Sequence, residues 1–168
     1  FGTEPDNDAR STAAKKGIKL QEDLSKFTNQ KFEIITLWHV LEHVENLSEY
    51  ISTLNDMLSD SGRLVIAVPN FKSEDAKYYK EFWAAFDVPR HLWHFSQNAI
   101  HQLFLSENML VEKTIPMKFD SYYVSLLSEK YKNGKTNVMS AFYRGFISNW
   151  KARASSEYSS LTYVLKKQ

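Results

Sequence analysis

Residues 32–44 read FEIITLWHVLEHV. Phe32 to Val40 is a nearly continuous apolar run, the pattern of a parallel strand buried on both faces. His39, Glu42 and His43 sit at and just past its end. In an α/β sheet that position is the carboxyl edge, where such folds place their ligand sites. The stretch therefore decides the fold class and the place to look for chemistry together.

Toward the C-terminus, Asn46 can cap a helix, with Glu49 in capping-box position. Leu47, Tyr50, Ile51, Leu54, Met57 and Leu58 fall on one face of that helix. Gly62 follows it, and Arg63 to Val68 (RLVIAV) is a second buried strand stopped by Pro69. Phe71 to Phe95 is aromatic, charged and aperiodic, and fits two short helices or a long structured loop. Ser96 caps a helix through Ala99, Ile100, Leu103 and Phe104 that ends near Asn108. Met109 to Ile115 alternates as a strand up to Pro116. Tyr122–Tyr131 and Val138–Trp150 read as helices, and Leu161–Leu165 as a closing strand.

Toward the N-terminus, Asp6 to Lys16 reads as a helix capped by Asp6 or Asn7, with Gly17 in the left-handed C-terminal position. Ile18 to Leu20 is a short strand. The order is β, α, β, β, α, β, insert, α, β, α, α, β. Alternation of this kind predicts an α/β sheet with helices on both faces. Residues 1–168 are expected to form one domain, with an aromatic insert over 71–95 and a helical cap over 117–155.

The 168 residues are 43% hydrophobic and 24% charged, enough to bury a core. Twenty-one basic and 20 acidic side chains leave a net charge of +1, which disfavours a nucleic-acid partner. The absence of cysteine excludes disulfide frameworks, thiolate metal sites and cysteine nucleophiles. No apolar run reaches the roughly 18–20 residues of a membrane span, and a cytoplasmic location is expected. The five glycines (Gly2, Gly17, Gly62, Gly134, Gly145) form neither G-x-G-x-x-G nor a Walker loop. The opening Phe1-Gly2-Thr3-Glu4-Pro5 reads as the end of a strand. The chain is thus expected to be the C-terminal part of a longer protein, with any glycine cradle before Phe1.

Several constellations carry chemistry. Glu4, at a strand tip, is placed as a ribose-binding carboxylate would be, since it can accept from both hydroxyls; a solvated loop carboxylate is the alternative. Glu22 and Asp23 follow a strand and are placed to receive an adenine amino group, or are solvated. His39-x-x-Glu42-His43 admits three readings: an inverted zinc-protease motif, which belongs within a helix; a cofactor or substrate edge; or histidines stacked on aromatics. Asp87 to Ser96 (DVPRHLWHFS) puts Arg90, His91 and His94 in an apolar lid, where loops commonly form the substrate side of a pocket. The stripe from Val138 to Trp150 reads as core or as a homodimer contact rather than a membrane helix. Its polar face (Ser140, Arg144, Ser148, Asn149) is not rich in Lys or Arg.

FGTEPD, FEIITLWHVLEHV, GRLVIAVPN and DVPRHLWHFS together resemble the class I S-adenosylmethionine-dependent methyltransferases, in the branch related to the ubiquinone-pathway O-methyltransferases. The likeness covers roughly Phe1 to Ile115. It implies a Rossmann-like sheet, parallel with an antiparallel last strand, lacking the first strand and glycine loop in this chain. It implies that Glu4 holds the ribose of the cofactor, that Asp23 or Leu24 borders the adenine, and that Trp38 and His39 lie beside the methionine part, where an aromatic face favours the sulfonium. Glu42 and His43 are similar to a pair that joins a preceding glutamate in a metal site in those relatives. His39 stands at that preceding position here, so His39, Glu42 and His43 are a candidate metal set and a non-metal role is equally open.

The expected activity is methyl transfer to a small-molecule or lipid- or glycan-linked acceptor, at a hydroxyl oxygen. Such an acceptor needs a base, for which His43, His91 and His94 are the candidates and His91 the preferred one. The competing classes are a metal hydrolase built on the H-x-x-E-H string and a non-catalytic binding module.

Overall fold

The computed structural model describes residues 1–27 and 29–168. Four strands form one sheet: β1 (Phe32–Trp38), β2 (Leu58–Pro69), β3 (Met109–Pro116) and β4 (Ser160–Lys167), in the order β1-β2-β4-β3. β1 and β2 are parallel, and β4 lies antiparallel between β2 and β3. Three strands therefore run one way and the last strand opposes them, as the sequence predicts.

Local chemistry sets the helix starts. α1 (Asn7–Lys15), α2 (Leu47–Met57) and α4 (Gln97–Leu105) begin at Asp6, Asn46 and Ser96, whose side chains accept from the backbone N–H groups of Ala9, Glu49 and Ala99. Gly17 takes the left-handed conformation past α1, at φ 78°. Ile18–Leu20 forms no strand. This short segment between the Gly17 turn and a 3₁₀ turn at Leu24–Phe27 has no room for a ladder, and a single parallel bridge, Thr3 to Gln21, marks the place.

α2 and α4 cover the sheet with Ile51, Leu54, Ile100 and Phe104 against Leu64 and Ile66. Each such side chain contributes about 1.5–3 kcal/mol by leaving water. β1 departs from the burial expected on both faces: Leu37 is buried, but Ile34 is 66% and Trp38 55% exposed. β1 is the edge of the sheet, with no strand paired on its far side among the described residues. β2 starts directly at Leu58, ahead of the expected Arg63, and Gly62 lies inside it at a register irregularity against β1.

Residues 71–95 form α3 (Glu74–Tyr79) and two 3₁₀ turns, Lys80–Phe82 and Ala84–Phe86. Tyr79, Trp83, Ala84 and Ala85 build a second apolar cluster with Val124 of α5 (Asp120–Asn133). α6 (Val138–Ser155) then packs along α5. Here the core reading of the Val138–Trp150 stripe fails, while a contact with a second copy is untouched by it. The buried positions are Ala141, Gly145, Ser148 and Ala152, whereas Val138, Met139, Phe142, Phe146 and Trp150 are exposed. The cause is the closeness of the helices: a Cβ on Gly145 would lie 2.7 Å from Tyr122 Cδ1 and 3.0 Å from Tyr122 backbone atoms. Only small side chains fit that seam.

The seam is polar, and its two carboxylates are hydrogen-bonded. The buried Asp75 carboxylate accepts from Trp83 Nε1 (2.8 Å), Ser148 Oγ (2.6 Å) and Ser159 Oγ (2.7 Å). Glu129, also buried, accepts from the hydroxyls of Tyr79 (3.0 Å) and Ser140 (2.6 Å). Desolvation and that carboxylate push the Tyr79 phenol well above its ordinary value. Donors converging on a buried carboxyl offset the cost of taking it out of water. They pin α3, α5 and α6 together.

Candidate active site

Two hollows open near the carboxyl end of β1. The first is a groove of about 720 Å³ along the open edge of β1, bounded by Glu4, Asp23, Leu24, Thr36, Val40 and His43. The second, about 390 Å³, lies between the sheet edge, the insert and α5, bounded by His39, Asp87, Arg90, His91, Asp120 and Tyr123. Both volumes are of the order of small-molecule pockets.

In the groove, Glu4 Oε1 accepts from the Asp6 backbone N–H at 3.0 Å. Asp23 Oδ1 accepts from the Ser25 N–H at 2.7 Å, and that hydroxyl residue holds the Asp23 carboxyl below its ordinary value. Glu4, Asp23 and Leu24, separated in sequence, thus share one wall-lined space. Trp38 bounds neither hollow, and His39 faces the second rather than the first.

His39 is held in the left-handed region at φ 53°, an uncommon state for a residue with a side chain. Its N–H still donates to Ala67 O at 3.0 Å. Its ring bridges two carboxylates, Nδ1 to Glu42 Oε1 at 3.2 Å and Nε2 to Asp120 Oδ2 at 3.4 Å. Hydrogen bonding to Asp120, then to Glu42, outweighs partial burial and pushes the imidazole up to about 9. His39 is a cation at neutral pH.

Leu41–His43 is a single 3₁₀ turn. His39 and His43 therefore do not share the helix face that an inverted zinc-protease motif uses. Glu42 is fully buried, its Oε2 has no partner among the described residues, and its carbonyl accepts from the Leu92 N–H at 2.8 Å, tying the turn to the insert. His43 Nδ1 donates to Arg90 O at 2.9 Å, and His91 Nδ1 donates to Ala85 O at 2.8 Å. A carbonyl only accepts, so each ring must carry a proton on Nδ1, which leaves Nε2 as the atom turned to other partners; at His91 the Asp87 carboxylate lies 3.9 Å from it. The two rings meet edge to face, 4.7 Å between centroids. His43 bounds the groove and His91 the second cavity, so the pair stands where the two hollows adjoin.

Glu42, His43 and His91 each bring one ligand-capable atom within 4.8 Å of the others. The buried, unpartnered Glu42 Oε2 and the fixed imidazole tautomers suit a divalent cation. His39, a member of the set expected from sequence, turns instead to Asp120. His94 Nε2 bonds Phe86 O at 2.9 Å on the outside of the insert and bounds neither hollow. Asp120 escaped the sequence reading. Its only local signal is an acidic residue in the first turn of a helix, which ordinarily serves the helix dipole.

A mixed sheet whose last strand opposes the other three is the fold of the Rossmann-like methyltransferases. The chain belongs to the methyltransferase domain family, whose model matches residues 1–111. Among solved structures it is similar to an S-adenosylmethionine-dependent methyltransferase, "possible histamine N-methyltransferase", from Thermotoga maritima (TM-score 0.67, 13% identity, 100% of this chain on 73% of that one). It is similar also to a cyclopropane synthase from Mycobacterium tuberculosis (0.60, 8%, 99% on 69%). A third is magnesium protoporphyrin IX methyltransferase from Synechocystis with bound SAH (0.59, 13%, 99% on 63%). No curated protein sequence matches the chain.

Proposed function

We propose that this protein transfers a methyl group from S-adenosylmethionine to a hydroxyl oxygen of a small or lipid-linked acceptor, with the donor in the β1 groove and the acceptor in the cavity under the cap. The observation that carries the proposal is the His43–His91 contact, which joins the two hollows at the sheet's carboxyl edge. The cofactor supplies a methyl on a cationic sulfur, and positioning provides most of the rate for an in-line displacement. In this reading Glu4 takes the ribose hydroxyls, and Asp23 and Leu24 border the adenine; their sharing one groove supports it.

His91 Nε2 faces the acceptor side and takes the hydroxyl proton as the oxygen–methyl bond forms and the sulfur–methyl bond breaks. His39, charged and clamped between Glu42 and Asp120, is an orienting cation rather than a base. Val124, Leu127, Tyr123 and Tyr131 give the cavity an apolar, aromatic wall suited to a ring-bearing acceptor, with the Arg90–Asp87 pair at its rim. A divalent metal held by Glu42, His43 and His91 would occupy His91 Nε2 and would polarise the acceptor oxygen in place of that base.

Calorimetric titration of the full-length, folded protein with S-adenosylmethionine tests the proposal. Saturable one-site heat that weakens in Glu4→Gln supports it. A folded protein that gives no heat overturns it.

A further inference from the structure

α6 presents to solvent the residues that a water-facing helix normally hides. Met139, Phe142, Phe146 and Trp150 are between 51% and 81% exposed, and the outward face carries no charge from Val138 to Trp150. Tyr122 of α5 packs on Phe142, ring centroids 5.1 Å apart, and joins the stripe to Phe119, which is 86% exposed. A contiguous apolar patch on this scale marks an interaction surface.

Charge says what the surface meets. Between Met117 and Ser155 the chain has seven basic residues and two acids, although its net charge is only +1. Both acids are engaged: Asp120 with His39, and Glu129, buried, with Tyr79 and Ser140. Lys118, Lys130, Lys135 and Arg153 are exposed on the cap, whereas Lys132 and Arg144 lie over the Tyr78 ring and Lys151 pairs with Glu74. The polar face of α6 itself is poor in Lys and Arg, but α5 and the α5–α6 turn set Lys118, Lys130 and Lys135 on the same cap as its Phe and Trp stripe, and basic residues beside an apolar stripe are what an anionic lipid surface attracts. A second copy is disfavoured, because a two-fold contact would set this cationic cap against itself. No helix among the described residues is long and apolar enough to cross a membrane.

We propose that the α5–α6 cap lies on an anionic lipid surface, with Phe142, Phe146 and Trp150 in the headgroup layer and the flanking lysines on lipid phosphates. Tyr123, which bounds the acceptor cavity, is itself exposed on α5. Docking through the cap therefore sets the cavity beside the bilayer and favours a lipid-linked acceptor, a clause that rests on the methyl-transfer reading. Docking itself is measured without donor or acceptor and fails independently of that reading.

The test is co-sedimentation of full-length protein with phosphatidylcholine vesicles that do or do not contain phosphatidylglycerol. Binding is expected to be roughly tenfold or more tighter to the anionic vesicles and to fall steeply with added salt. Phe146→Ser with Trp150→Ser, at exposed positions, should reduce it about tenfold with an unchanged melting curve. Lys118→Glu with Lys135→Glu should remove the preference for anionic lipid. Equal absence of binding to both vesicles overturns the proposal. So does a dimer in sedimentation that the double serine variant dissociates, which would assign the face to a second copy.

Discussion

His39 Nε2 lies 3.4 Å from Asp120 Oδ2, across 81 positions of sequence, and that contact links the end of β1 to the first turn of the cap. It makes the ring a cation whose neighbourhood is set by the cap's position.

The contact has a pH signature. The folded ring titrates near 9 against an ordinary 6.5. Protonation therefore favours the folded state, fully below about 6.5, and that contribution is lost as pH rises through about 9. Proton NMR of the His39 ring should show the raised titration, and Asp120→Asn should return it towards 6.5. An unchanged titration in the variant would remove Asp120 as the cause.

His91→Ala should lower turnover by about 10²–10⁴-fold, the ordinary range for losing a general base, while S-adenosylmethionine affinity stays nearly constant. The ring bounds the acceptor cavity and not the groove. Equal loss in kcat and in donor binding would argue for a structural role instead.

Asp75→Ala should destabilise the protein by about 3–5 kcal/mol, read from urea unfolding midpoints. The change strands three donors, Trp83 Nε1 and the hydroxyls of Ser148 and Ser159, in a buried seam. Ser148→Ala removes one bond of the three and should cost about 1–3 kcal/mol.

Gly145→Ala should cost about 1–3 kcal/mol by overpacking, because the new methyl meets Tyr122 backbone as well as its ring. The melting temperature is the readout. Phe146→Ala, one residue on but exposed, should leave it within a degree or two.

Much of the fold is legible in the sequence because it is decided locally. Asp6, Asn46 and Ser96 satisfy the first amides of their helices within three residues, and such signals need no tertiary context. β2 and β4 read correctly as strands from their apolar runs. β1 was legible as a strand but not as an edge, since pairing depends on what lies beside it. The facing of α6 was illegible for a different reason. Hydropathy assigns the large apolar side to the interior, whereas the approach of α5 is so close that size rather than polarity selects Ala141, Gly145 and Ser148. Glu4, Asp23 and His91 fall on hollows as their positions suggest. The partnership of His39 with Asp120 was beyond reach because nothing within a few residues of either announces the other.

The small-residue seam between α5 and α6 also separates two kinds of selection. Folding of the cap is written on one side of α6, in Ala141, Gly145, Ser148 and Ala152, and what the cap touches is written on the other. The outer side can drift, lose its aromatics or acquire new ones without disturbing the buried contacts. The cap is accordingly the part of this protein whose outer surface can change fastest while the sheet and the hollows at its edge stay as they are.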